Sequence, residues 1–206
     1  MPRNRQTVPR HEREAEILDV ASEMFASRGY AETSVSEVAR ELGSSPGNVH
    51  WYYPSKDDLF AAVVDRWLDQ NTAAIEARTD LADDPLGRFF AMVDTLVHYR
   101  AIRDDIIERA PHSEAVASVD HRQRAWFRAA LDEVLDVYLR PGEYRDMAVH
   151  TIGATALGAT IRPNQEPPTA EILRFALERI VRDAPELHRA PGAPTRREFG
   201  STLTWS

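Results

Sequence analysis

Between Leu42 and Ser55 the chain carries serines, an asparagine, a histidine and three aromatic residues, closes on Lys56, and holds no acidic side chain. That set suits a polyanion. The Lys56 ammonium stands at the start of the next helix, where helix stability does not need a cation and a phosphate contact would explain it. Pro46 and Gly47 are small enough to let the helix N-terminus come close to a groove, with its dipole and free N–H groups facing phosphate. The lack of acid is local, because the 206 residues include 33 Asp and Glu against 25 Lys and Arg, a formal charge of -8. Net charge taken alone argues against nucleic acid. Binding depends on the potential at the contact, where a phosphate backbone can approach this stretch without repulsion.

Two short helices must position these residues. The first opens on Ser34 with Glu37 three residues later, the spacing at which the hydroxyl and the carboxylate satisfy each other's backbone N–H groups. Val35, Val38, Ala39 and Leu42 follow at helical spacing, and Gly43 ends the helix where a positive φ is easiest. Ser45 caps the second helix, Pro46 takes its first position, and Val49 and Tyr53 face the core. Asn48, His50, Trp51 and Tyr52 are left to look outward in part. Two capped helices joined at a glycine are the sequence form of a helix-turn-helix. Small helical bundles without DNA function use the same devices, so the pattern leaves that reading open.

The wider context narrows it. Phe25 to Tyr30 has the form F-x-x-x-G-Y, Thr33 and Ser34 open the next helix, and Gly43 makes the turn. The second helix then closes on Tyr52, Tyr53 and P-S-K at Lys56, before a helix bearing Leu59 and Phe60. In this order and spacing, the stretch from about His11 to Leu68 resembles the DNA-binding domain of TetR-family (TetR/AcrR-like) transcriptional regulators. The resemblance implies phosphate contacts from Thr33 or Ser34, Tyr52 and Lys56, and base or groove contacts from Pro46, Gly47 and Asn48. Ser45, His50 and Trp51 complete the candidate DNA-binding set. His50 departs from the pattern, which has tyrosine there; a histidine donates to phosphate more strongly when protonated, so operator binding could tighten at lower pH. Alternatively it is a neutral ring packed beside Trp51.

An all-α fold is expected throughout, with a three-helix helix-turn-helix domain followed by a helical ligand-binding and dimerisation domain. The divisions expected are a basic arm at 1–10 (Arg3, Arg5, Arg10), the DNA-binding domain at 11–56, the body at 57–185 and a flexible tail at 186–206. The arm can track a groove or backbone, or simply be a solubilising end. Helices are expected from Asp57 to about Gln70, Leu86 to about Ala110, Val116 to Leu139, Glu143 to Ile161 and, capped by Thr169, on to Asp183. Small residues along Gly153, Ala154, Leu157 and Gly158, with Leu173 and Leu177 on the last helix, suit either close packing within one subunit or a two-fold bundle between subunits. The resemblance favours the second, since TetR-like proteins usually dimerise through their last two helices. Phe90, Met92, His98, Tyr99 and Trp126 mix apolar and polar groups as a small-molecule pocket does, although an aromatic stripe at this spacing also reads as plain core.

Other classes fit poorly. No cysteine occurs, the histidines are scattered, and no metal-ligand spacing, phosphate-cradling glycine loop or G-x-S-x-G elbow is present. Neither a cofactor, a metal nor catalysis is expected. With no signal segment and no apolar run of bilayer length, a cytoplasmic protein without membrane contact is expected. The reading is a homodimeric regulator, a repressor that binds a palindromic double-stranded operator and is released by a small molecule. Its rival is a helical ligand-binding or interaction protein that does not bind DNA sequence-specifically.

Overall fold

The computed structural model describes residues 9–160 and 166–193, and among them the chain is all-α. Nine α-helices follow one another: α1 (Arg10–Arg28), α2 (Val35–Glu41), α3 (Pro46–Tyr52), α4 (Lys56–Glu76), α5 (Pro85–His98), α6 (Arg100–Arg109), α7 (Glu114–Tyr138), α8 (Glu143–Thr160) and α9 (Thr169–Asp183). Arg3 and Arg5 of the expected arm, and the tail from residue 194 onward, lie outside the described residues.

The local signals around the turn act as expected. The Ser34 hydroxyl accepts from the Glu37 N–H at 3.2 Å, and Glu37 accepts the Ser34 N–H at 3.0 Å, closing the capping box of α2. Ser45 accepts from the Asn48 N–H at 3.3 Å, with Pro46 as the first residue of α3. Between them Gly43 turns the chain at φ 61°. A further capping box, not foreseen, starts α4: the Ser55 hydroxyl accepts from the Asp58 N–H at 3.1 Å, and the Asp58 carboxylate accepts the Ser55 N–H at 3.0 Å.

The chain divides into two compact units, one holding residues up to Gln70 together with Ala101–Arg122, the other holding Asn71–Arg100 and the residues from Gln123 onward. This is not the sequential division expected at residue 56. In the first unit α1, α2, α3 and the start of α4 bury Ile17, Phe25, Val38, Val49, Leu59 and Phe60 completely or nearly so. Arg66 of α4 ties to α1 through Asp19 at 2.9 Å and Ser22 at 3.1 Å. Ile102, Ile106, Val116 and Val119 of α6 and α7 are buried as well, and Arg122 of α7 bridges Asp65 and Asp69 of α4. Those ion pairs join positions far apart in sequence, which is why no local pattern announces the unit.

In the second unit Phe89, Phe90, Met92 and Val93 of α5, Leu131, Val134 and Leu135 of α7, Ile152 of α8, and Leu173, Leu177 and Val181 of α9 form one apolar core. Three expectations are corrected. The helix expected from Leu86 to Ala110 is two helices, because Tyr99 leaves helical geometry at φ -98° and ψ 30°; neither proline nor glycine marks the break. Thr169 does not cap α9; it is the helix's first residue, and its hydroxyl donates to the Ala159 carbonyl at 3.1 Å. The stretch 186–193 is not a loose tail. Its His188 carbonyl accepts from the Arg140 N–H at 2.8 Å, its Ala190 N–H donates to the Tyr138 carbonyl at 2.9 Å, and His188 stacks on Tyr144 at 5.2 Å.

Gly43→Ala tests the turn: no atom stands within 4 Å of an added Cβ, so the cost is conformational alone. A left-handed residue with a Cβ costs roughly 1–2 kcal/mol, which a denaturant titration should read as lost stability. Unchanged stability would show that the turn relaxes without the positive φ.

Candidate nucleic-acid interface

The seven residues of α3 divide cleanly by face. Val49 is fully buried and Tyr53, just past the helix, nearly so, its hydroxyl donating to Glu14 at 3.5 Å. Burial, and then Glu14, raise the Tyr53 pKa, so the phenol stays protonated. Ser45, Pro46, Gly47, Asn48, His50 and Trp51 are exposed, and Tyr52 is half-buried. These residues share one surface, as α3 brings them together within two turns. The Asn48 amide donates to the Ser44 hydroxyl at 2.8 Å, which holds its side chain across the helix start.

His50 places Nδ1 3.1 Å from the Pro54 carbonyl oxygen. A carbonyl only accepts, so Nδ1 carries the proton, and in the neutral ring Nε2 is a bare acceptor. It can donate to phosphate only as imidazolium. His50 is exposed, and Trp51 sets its own ring edge-on to Tyr52.

Two expected contacts change. Thr33 is 2% exposed and its hydroxyl donates to the Gly29 carbonyl at 2.9 Å, which fixes the entry to α2; it is removed from the candidate surface. The Ser34 hydroxyl donates to Glu37 at 2.7 Å as well as accepting, so the capping box already uses it. Lys56 has a reason for its place besides phosphate. Its Nζ lies 4.0 Å from the Tyr30 ring centroid and 3.4 Å from the Ala31 carbonyl oxygen. Burial, then the nearby Arg109, hold its pKa below the ordinary lysine range.

Behind Lys56 sits a node that sequence reading missed. The Tyr30 hydroxyl donates a short hydrogen bond to Asp57, and Arg109 of α6 donates to the same carboxylate with Nη2 at 2.9 Å and Nε at 3.3 Å. The Tyr30 N–H donates to Asp105 of α6 at 2.8 Å, and its ring meets Phe60 edge-on at 5.2 Å. Burial, then the Asp57 bond, push the Tyr30 phenol up to about 12. Burial alone would raise Asp57, but the hydrogen bonds from Arg109, Tyr30 and Ser113 outweigh it and hold the carboxyl below its ordinary value. Tyr30 lies in the F-x-x-x-G-Y motif; Arg109 carries no local signal at all.

The ligand and dimer candidates fall partly in the core and partly on the surface. Phe90 and Met92 belong to the core, Trp126 packs against it, and the Arg174 guanidinium lies 5.2 Å from the Phe90 ring centroid. His98 is exposed at the end of α5 with its ring edge-on to Tyr99. Leu173 and Leu177 are core, whereas the exposed apolar residue of α9 is Phe175, at 69%. On α8, Ala154, Leu157 and Gly158 are exposed and Gly153 partly so.

Residues 17–63 match the family of bacterial regulatory proteins known as the tetR family. Along 197 residues the chain is 24% identical to the HTH-type transcriptional regulator YuxN of Bacillus subtilis, covering 87% of this chain and 67% of that protein. It is 25% identical over 140 residues to the HTH-type transcriptional repressor KstR2 of Mycobacterium tuberculosis, covering 63% and 70% of the two chains. Among solved structures, a TetR transcription regulator from Haloarcula marismortui superposes with a TM-score of 0.62 at 21% identity, over 87% of this chain and all (100%) of that one. A transcriptional regulator from Saccharomonospora viridis solved with choline gives 0.64 at 16% identity, over 88% and 100%. Residues 17–63 thus carry the DNA-binding domain of tetR-family transcriptional regulators.

The pairing of Asp57 stabilises the head above the ordinary carboxylate pKa of about 4 and is lost as pH falls through the depressed folded value. Thermal melts should show wild type losing its advantage over Asp57→Asn below about pH 4; a gap that does not narrow would mean that the charge is not what holds the node.

Proposed function

We propose that this regulator is a homodimeric repressor that reads a palindromic operator with α3 and releases it when a small molecule binds the helical body. The observation that carries the DNA contact is the exposed, acid-free face of Ser45 to Tyr52, held by two caps and a glycine turn. On that face Asn48 reads a base edge, while Tyr52 and Lys56 meet phosphates. Pro46 and Gly47 allow the close approach.

Exposed apolar surface on α8 and α9 supports the dimer. Met147 is 63% exposed, Leu157 49% and Phe175 69%, more than a solvated helix face needs. A Cβ added at Gly153 or Gly158 would meet nothing within 4 Å, so these glycines are not explained by packing inside one chain. A partner's helices can approach closely there. Two recognition helices set about one DNA turn apart, roughly 34 Å, would then match a palindrome. Release requires an effector that prefers one separation of the heads over the other, because equal affinity shifts nothing. The lever is α4, whose first turn bears Lys56 and Asp57.

Phe175→Glu should convert the protein to monomer in sedimentation and weaken operator binding together, while leaving the helical content unchanged. A Phe175→Glu protein that stays dimeric would move the interface elsewhere. Asn48→Ala should reduce affinity for the operator by roughly 1–3 kcal/mol and for random duplex hardly at all; equal losses on both would assign Asn48 to the backbone.

A further inference from the structure

Two residues of the head are placed where folding gains little from them. Trp51 leaves 64% of its surface exposed on α3. Arg10 is the first residue of α1, where a cation opposes the helix dipole. The structure brings them together: the Arg10 guanidinium carbon lies 5.0 Å from the Trp51 ring centroid, within cation–π range, and the indole sets its edge against Tyr52 at 4.7 Å and 85°. Arg10 is exposed and forms no ion pair among the described residues. Its nearest acid along the helix face, Glu14, accepts from Tyr53 instead.

We infer that Arg10 and Trp51 act as one operator contact, in which the guanidinium lies on the indole and binds a backbone phosphate while the indole meets the sugar and base edge beside it. The inference rests on the operator-binding reading above. A guanidinium can do both at once, because its face stacks while its N–H donors point outward in the plane. A lysine ammonium can supply the charge but not the flat cover. Arg10 is thus a phosphate ligand and also the positioning residue for Trp51, and Trp51 becomes a specificity-determining residue at the flank of α3.

The test uses the palindrome that full-length wild-type protein selects from genomic fragments, with random duplex as control, titrated across a range of salt. Arg10→Gln should bind the palindrome several-fold more weakly, and the slope of log affinity against log salt should fall by about one, as loss of one phosphate contact requires. Arg10→Lys should keep the slope but lose several-fold in the ratio of palindrome to random duplex. Trp51→Ala should lose the same ratio, and adding Arg10→Lys to it should cost nothing more. An unchanged slope in Arg10→Gln, or losses that multiply in the double variant, would overturn the inference. Circular dichroism melts matching wild type exclude a folding defect, which the exposure of both residues predicts. A wild-type protein that selects no palindrome would remove the operator reading and this inference together, whereas variants indistinguishable from wild type on a selected palindrome would remove this inference alone.

Discussion

The carboxylate of Asp57 holds the head in register. It receives the Tyr30 hydroxyl from the turn after α1 and the Arg109 guanidinium from α6, and it stands in the first turn of α4. Three segments distant in sequence therefore share one partly buried charge. Tyr30 gains a fixed ring, Lys56 gains a surface to lie on, and Phe25 and Phe60 pack at 5.0 Å beneath. Removing the carboxylate would leave a phenol and a guanidinium without their partner, a larger penalty than the gain of an ordinary surface ion pair. The helix-turn-helix thus depends on residues outside its own sequence segment.

That dependence separates what sequence reveals from what it hides. Capping boxes, the Gly43 turn and the Val49 and Tyr53 core positions were legible because each is local, decided within three or four residues. The polar node was not, since Tyr30, Asp57 and Arg109 meet only after folding. For the same reason the division into compact units could not be read from order along the chain. The break at Tyr99 also escaped, because apolar periodicity runs on through it without a proline or glycine.

Periodicity fixed which helices are amphipathic but assigned some faces wrongly. Leu173, Leu177 and Val181 recur every four residues on α9 and are core; Phe175, two positions out of step, is the exposed one. Met92 likewise belongs to the core. Thr33 fell to a similar ambiguity, because a threonine at a helix entrance can serve a phosphate or the preceding carbonyl, and here the Gly29 carbonyl takes it.

All of this geometry converges on a short, acid-free face whose role as a sequence reader is the central claim. The most direct test is to incubate purified protein with fragmented genomic DNA at moderate salt and sequence what it retains. The account predicts enrichment of one short palindrome with half-sites about one helical turn apart, roughly 10 base pairs between centres. Retention without sequence preference, or no retention, would contradict it.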